Sequence, residues 1–327
     1  VDRRQRQMCI RDSGTVAGDV DAQDGALQLG SVSQLHIGGA LRLGANSRLN
    51  AILGAPNSPP ASQARLTVGG DLVLDGGLAL SATQDMGTGV YRLIDYGGAL
   101  TDNGLDVYGL PSNLASQVQN SIAHQVNLVV TAAGDDTSLS FWNGNTLSPT
   151  GTVVGGYGTW SAGTRTNWTN ANGSVSRAWN GRSAVFQANP GIVTLSGADG
   201  EVKTTGMQFM DGEWWVSGDG PLTLEGQGGD VVVRVGDGTA AGAAWTAHIG
   251  VPLTGNATLV KTDLGRLVLT GSGSWTGDTR VEGGTLQLGS LGAGGTTFAG
   301  KFTVAAGATL ENWVDLALNV PDLVRGS

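Results

Sequence analysis

Asp211 and Glu213 stand at positions i and i+2, and Trp214 and Trp215 follow directly. On a β-strand that spacing puts two side chains on one face. Two carboxylates beside an aromatic surface are the minimum equipment for acid/base cleavage of a glycosidic bond. The plainer account, a solvated turn acid beside core aromatics, is the preferred one. Asp135 and Asp136 make a poorer pair, because neighbours on a strand point to opposite faces. A serine hydrolase needs a nucleophile, a histidine base and an orienting acid. No GDSG-type turn is present, and His36, His124 and His248 read as turn histidines. Repeated calcium-binding nonapeptides are absent: Gly155–Trp160 (GGYGTW) has Thr where Asp is needed. Asp19, Asp21 and Asp24 lie in GDVDAQDG, but an EF-hand loop wants Gly sixth and Glu twelfth, where Asp24 and Gly30 stand. The single cysteine, Cys9, allows neither an internal disulfide nor a zinc cluster. No catalytic residue, metal or cofactor is expected.

Nine tryptophans run from Trp142 to Trp313. Their faces could stack on sugars, but plugging the interior of the fold is the plainer role. The sequons at Asn167, Asn172 and Asn256 read as chance in an Asn/Thr-rich chain.

The elements that must carry these residues follow from composition. Of 327 residues 55 are Gly, and 14% are charged, against about 25% in an ordinary soluble domain. Lys203, Lys261 and Lys301 are the only lysines. Scarce Lys and Glu with abundant Gly, Thr, Val and Ser exclude a helical bundle and disfavour a nucleotide-binding α/β fold. The apolar share of 40% is too high for disorder. Many short strands joined by tight turns remain. The net charge of −9 and the dearth of lysine disfavour nucleic acid and anionic membranes as partners. No apolar run of 18 residues is present, so no membrane insertion by this segment is expected.

The pattern G-x-L-x-L recurs six times, beginning at Gly25, Gly39, Gly70, Gly220, Gly265 and Gly284. Two leucines at i and i+2 share one strand face, and the glycine ahead of them permits a tight corner. The starts are irregularly spaced, which argues against propellers and leucine-rich repeats. A β-solenoid with insertions fits, each turn burying its leucines against those above and below. Val126–Val130, Gly191–Leu195, Val231–Val235 and Phe302–Ala305 read as further strands. Ser112–His124 is the best helical stretch, with Leu114, Val118 and Ile122 four apart and Ser112 as a cap.

Val260–Gly289 reads VKTDLGRLVLTGSGSWTGDTRVEGGTLQLG and resembles the autotransporter-associated β-strand repeat of Gram-negative passenger domains. FWNGN (Phe141–Asn145), GTWSAGTRTNWTN (Gly158–Asn170) and RAWNGRSAVF (Arg177–Phe186) resemble the segment that precedes such repeats. The resemblance implies an all-β, elongated, right-handed parallel β-helix carried to the bacterial surface. Its implied partner is an outer-membrane β-barrel of the same polypeptide, which is not recognised in this chain. It also implies a repeat that assists folding and secretion, with Leu267, Leu269, Trp275, Val281, Leu286 and Leu288 as the repeat core. The expected function is a surface-exposed or secreted structural and adhesive stalk, with host or biofilm ligands or glycans as further partners. The alternatives are a carbohydrate-active β-helix enzyme and a self-associating aggregation factor.

Residues 1–12 hold four arginines, the only cysteine and no glycine. They are expected to be a non-native or disordered tail that pairs with nothing, and they contain no apolar signal segment. Residues 13–134 and 135–327 are expected to form two sets of coils, with the repeat at 259–290.

Overall fold

The computed structural model describes residues 8–10, 14–29, 34–56, 65–82, 86–226, 229–290, 296–313 and 323–325. The chain divides into two compact units, Val1–Asp136 and Thr137–Ser327.

In the second unit, Ser183–Phe186, Ile192–Ser196 and Val202–Thr204 form one turn of chain. Gly206–Phe209, Glu213–Gly218 and Leu222–Leu224 repeat the triplet. Strands one turn apart pair in parallel, building three ladders. In the first ladder Gly206 pairs with Val232, Val232 with Val260 and Val260 with Arg280, so successive turns take 26, 28 and 20 residues. This is a parallel β-solenoid. Among the described residues there is no α-helix, only a 3-10 turn at Ala240–Ala244. The varying turn length explains why the G-x-L-x-L units show no fixed period.

The first unit stacks in the same way. Gln34–Ile37, Arg65–Val68 and Gly89–Tyr96 run parallel. The long strand Leu41–Leu53 pairs with both Leu72–Leu74 and Gly77–Ala82. The corners at Gly38–Gly39, Gly69–Gly70 and Gly97–Gly98 lie one upon another, with Gly70 N donating to Gly39 O and Gly98 N to Gly70 O, each at 2.9 Å. A Cβ on Gly69 would come within 2.5 Å of the Gly38 carbonyl oxygen, so this backbone approach admits no side chain.

Alternation decides what is inside. All twelve leucines of the six G-x-L-x-L units are buried, none more than 3% exposed. Each unit has its own apolar core. At the start of the second unit the core is aromatic. Trp168 and Trp179 lie 4.4 Å apart, Trp142 and Trp160 meet Trp168 edge-on, and Phe186 stacks on Phe209 at 4.7 Å. Aromatic rings that fill the first turns exclude water where no earlier coil of that unit covers the apolar interior.

Two expectations are corrected. Ser112–His124 is not helical: Leu114–Gln119 is a strand, antiparallel to Gln125–Ala132, which in turn runs antiparallel to Gly89–Tyr96. A short segment rich in Ser, Asn and Gln is marginal as a helix, whereas the unpaired edge of a sheet supplies a full set of backbone partners. Asn127, fully buried, donates to Gln119 Oε1 at 2.9 Å and fastens the hairpin. Residues 1–12 were expected to pair with nothing, yet Met8–Ile10 pairs in parallel with Leu27–Leu29. Met-Cys-Ile is a β-compatible run, and Leu27–Leu29 offers a parallel edge. Residues 1–7 and 11–12 lie outside the described residues.

Candidate functional site

The repeat occupies one turn of the solenoid and the start of the next. Its strands are Thr258–Thr262, Arg266–Leu269, Gly273–Trp275, Thr279–Val281 and Thr285–Leu288. Leu267 pairs with Leu286 and Leu269 with Leu288, so the two G-x-L-x-L units form consecutive rungs. Leu267, Leu269, Trp275, Val281, Leu286 and Leu288 are all buried in one core. The Trp275 indole is seated by a glycine: a Cβ on Gly255, which has φ +132°, would lie 2.9 Å from the ring.

A lysine interrupts this apolar column. Val233, Lys261 and Val281 share a register on three successive strands, and all three are buried. Lys261 follows Leu259 by two and therefore shares its inward face. Its ammonium turns to the corner, where Nζ donates to the carbonyls of Thr262 (2.8 Å), Asp263 (2.9 Å) and Gly283 (3.0 Å). Three donors meet three acceptors. Burial pulls the Lys261 pKa down to about 7, and the Asp263 carboxylate opposes that shift.

Asp263 is the second half of the corner. It is buried at φ 65°, a left-handed conformation that aspartate tolerates better than most residues. Its carboxylate accepts from Arg234 Nε at 2.9 Å, from Gly238 N at 2.9 Å and from Leu264 N at 2.7 Å. Arg234 is itself buried and belongs to the preceding coil. A Cβ on Gly236 would lie 2.3 Å from the Asp263 carboxyl carbon, so the approach needs glycine there. Arg234, Asp263, Lys261 and Gly283 thus join three consecutive coils. Removing one member of such a buried pair costs about 3–5 kcal/mol, because the other charge is left without a partner.

Residues 259–288 match the family model of the passenger-associated transport repeat. The chain is also 44% identical over 283 residues to the adhesin BmaC autotransporter of Brucella suis biovar 1 (strain 1330). The two matches support an autotransporter passenger domain. The Brucella match covers 83% of the passenger segment and 8% of the relative, so the segment spans a small part of that protein's length. No solved structure matches the segment.

Glu213 is exposed on its strand and bonded to His248 Nε2 at 3.0 Å, while Asp211 lies in the preceding turn. The His248 ring stacks on Trp215 with 3.7 Å between centroids and 3° between planes. Burial lowers the His248 pKa, and its hydrogen bond and charge interaction with Glu213 only partly offset that. Asp135 bridges back to Ala132 in a turn. His36 and His124 are exposed, with His124 Nδ1 3.0 Å from the Tyr96 carbonyl oxygen.

Most of the tryptophans are core residues. Trp142, Trp160, Trp168, Trp179, Trp214 and Trp275 are buried, and Trp215 and Trp313 are the exposed ones among the described residues. Asn167 is buried and donates through Nδ2 to the carbonyls of Gly144 and Thr159, a placement no glycan could share. The Lys261 corner went unassigned in the sequence. The signal for it was there: one of only three lysines stands two residues after Leu259, on an inward face.

Proposed function

We propose that this passenger segment is a surface-exposed structural and adhesive stalk whose repeat assists folding during secretion. The rest of the polypeptide supplies an outer-membrane β-barrel through which the chain passes C-terminus first. The repeat then emerges ahead of residues 25–250 and offers a finished edge to the coils that follow. The observation that carries this reading is the buried corner of Arg234, Lys261, Asp263 and Gly283, which fastens the repeat to the coils on both sides. In a one-dimensional stack each coil is stabilised by its neighbours, so an ordered coil templates the next. An adhesive role is supported by the Brucella relative, which is named an adhesin.

The test is a paired substitution in the full-length protein displayed on cells. Leu286→Ala with Leu288→Ala removes two buried leucines from the repeat, and Leu41→Ala with Leu43→Ala removes two from the first unit. Each pair costs about 2–5 kcal/mol per residue. Surface display should fall further for the repeat pair. Equal losses would leave stability as the repeat's only role. Adhesion of displaying cells, compared with cells lacking the protein, tests the adhesive half.

A further inference from the structure

The first unit contains a polar cavity of about 310 Å³ on the outer side of the solenoid, distant in sequence from the repeat. Three stacked segments build it: Asn46–Arg48, Asp75–Gly77 and Asn103–Asp106. Arg48, Gly77 and Asp106 share a register on three successive strands. Alternation points that register outward, since Leu49 and Leu78, one position on, are buried. The middle position is glycine, so the surface is notched between the Arg48 and Asp106 side chains. The Tyr108 ring leans across the notch: a Cβ on Gly77 would lie 2.8 Å from it. Tyr108 is 53% exposed, an aromatic face open to solvent beside a polar hollow.

The polar groups here are under-used. Among the described residues the side chains of Asn46, Arg48 and Asn103 have no hydrogen-bond partner, and the Asp106 carboxylate is met only by the Tyr108 hydroxyl at 3.3 Å. Asp75 Oδ1 accepts from Gly76 N at 2.8 Å, which leaves its second oxygen free. Ser47 also borders the cavity, but it lies two residues before Leu49 and shares that inward face, so its buried hydroxyl is turned away from the notch. Asn46, Arg48, Asn103 and Asp106 are exposed, so their polar atoms are open to a ligand from solvent.

From this geometry we infer that the cavity binds a neutral pyranose unit of a glycan. The lining mixes acceptors (Asp75, Asp106), a donor (Arg48) and groups that do both (Asn46, Asn103), and sugar hydroxyls, which donate and accept, match that mixture. The exposed Tyr108 ring offers a face for the C–H side of a sugar ring. Two carboxylates against one guanidinium repel a phosphate, sulfate or carboxylate ligand. The guanidinium opposes a cation, and no group of three acidic or histidine ligands forms among the described residues. The volume lies at the lower end of the range for small-molecule sites, which suits one ring with its substituents. The inference deepens the adhesive reading and rests on it, because it names the ligand class for one part of the stalk.

The test uses the 327-residue chain on an array of neutral oligosaccharides ending in glucose, galactose, mannose, fucose or N-acetylglucosamine, with sialylated counterparts. Hits are titrated by calorimetry. Binding is expected to a neutral glycan and not to its sialylated form, with Asp106→Ala and Arg48→Ala each weakening it tenfold or more. Both residues are exposed, and circular dichroism confirms the fold of each variant. Gly77→Val, which displaces the Tyr108 ring, should abolish binding. Absence of any neutral hit, preference for the sialylated form, or unchanged affinity in both exposed variants would overturn the site. Cell adhesion separates this failure from that of the adhesive reading. Adhesive cells without sugar binding sink the cavity alone, whereas non-adhesive cells sink the stalk's adhesive role.

Discussion

Lys261 Nζ lies 3.0 Å from the carbonyl oxygen of Gly283, so a buried ammonium in one coil is bonded to the backbone of the next. An ammonium lost from a surface corner can be replaced by water, but not here, where Lys261 is fully enclosed. The repeat is thus held to its neighbours by directional contacts as well as by leucine packing. Directional contacts set register, which packing of similar aliphatic side chains defines poorly.

Lys261→Met should destabilise the second unit by about 2–4 kcal/mol, because three carbonyls lose their donor and each buried unpaired acceptor is costly. The pH dependence is also determined. The folded pKa of about 7 lies below the unfolded value of 10.5, so the unfolded chain binds more protons between them. Wild-type stability relative to Lys261→Met should therefore rise between pH 7 and pH 10, by at most about 1.4 kcal/mol per unit, and be level below pH 7. Urea unfolding at fixed pH values measures this, and a level profile over that interval would show that the ammonium stays charged.

Asp263→Asn should cost about 3–5 kcal/mol by leaving Arg234 buried without its carboxylate. Arg234→Met alone should also destabilise, and the double variant should lose less than the two singles together. A double-mutant cycle by denaturant unfolding gives the coupling, expected above 1 kcal/mol. Strict additivity would mean that the pair contributes nothing specific.

Trp168→Ala should cost about 3–5 kcal/mol, since the indole is enclosed by Trp142, Trp160, Trp179 and Phe186. Trp313→Ala should cost under about 1 kcal/mol, since that residue is half-exposed and its one side-chain partner among the described residues is Glu311. Thermal unfolding of the two variants side by side decides whether the aromatic cluster is a structural plug.

His248 should titrate below 6.5 in the folded chain, as followed by imidazole NMR shifts against pH. Glu213→Gln should lower it further by removing the group that favours the imidazolium. Because the folded value is depressed, the stability associated with this histidine is present above about pH 6.5 and is lost as pH falls below it. A rise in the pKa on Glu213→Gln would contradict the assignment of Glu213 as its partner.

Leucine direction was legible in the sequence because alternation is a local rule. Leu41 and Leu43, or Leu286 and Leu288, share a face whatever they pack against. The strand Val231–Val235 was legible for a related reason, a short β-branched run bounded by turn residues. The hairpin at Leu114–Ala132 was not, because Leu114, Val118 and Ile122 satisfy a helical period equally well. Only the open edge of Gly89–Tyr96 decides between the two. The pairing of Glu213 with His248 was hidden too, since 35 residues separate them and the length of the intervening turn sets which strands become neighbours.

The sequence by itself determined an all-β solenoid, the inward set of leucines, the glycine corners and the repeat at about 259–290, all of which rest on residue types within a few positions of each other. The tertiary structure decided what meets across coils. It brought Arg234 to Asp263 and Lys261 to Gly283, gathered four tryptophans into one plug, and left a notch at Gly77 between Arg48 and Asp106. The physical reason is that turn length varies from coil to coil. A strand's own pattern states which face it buries, but its neighbour one turn away is chosen by how many residues the chain spends returning.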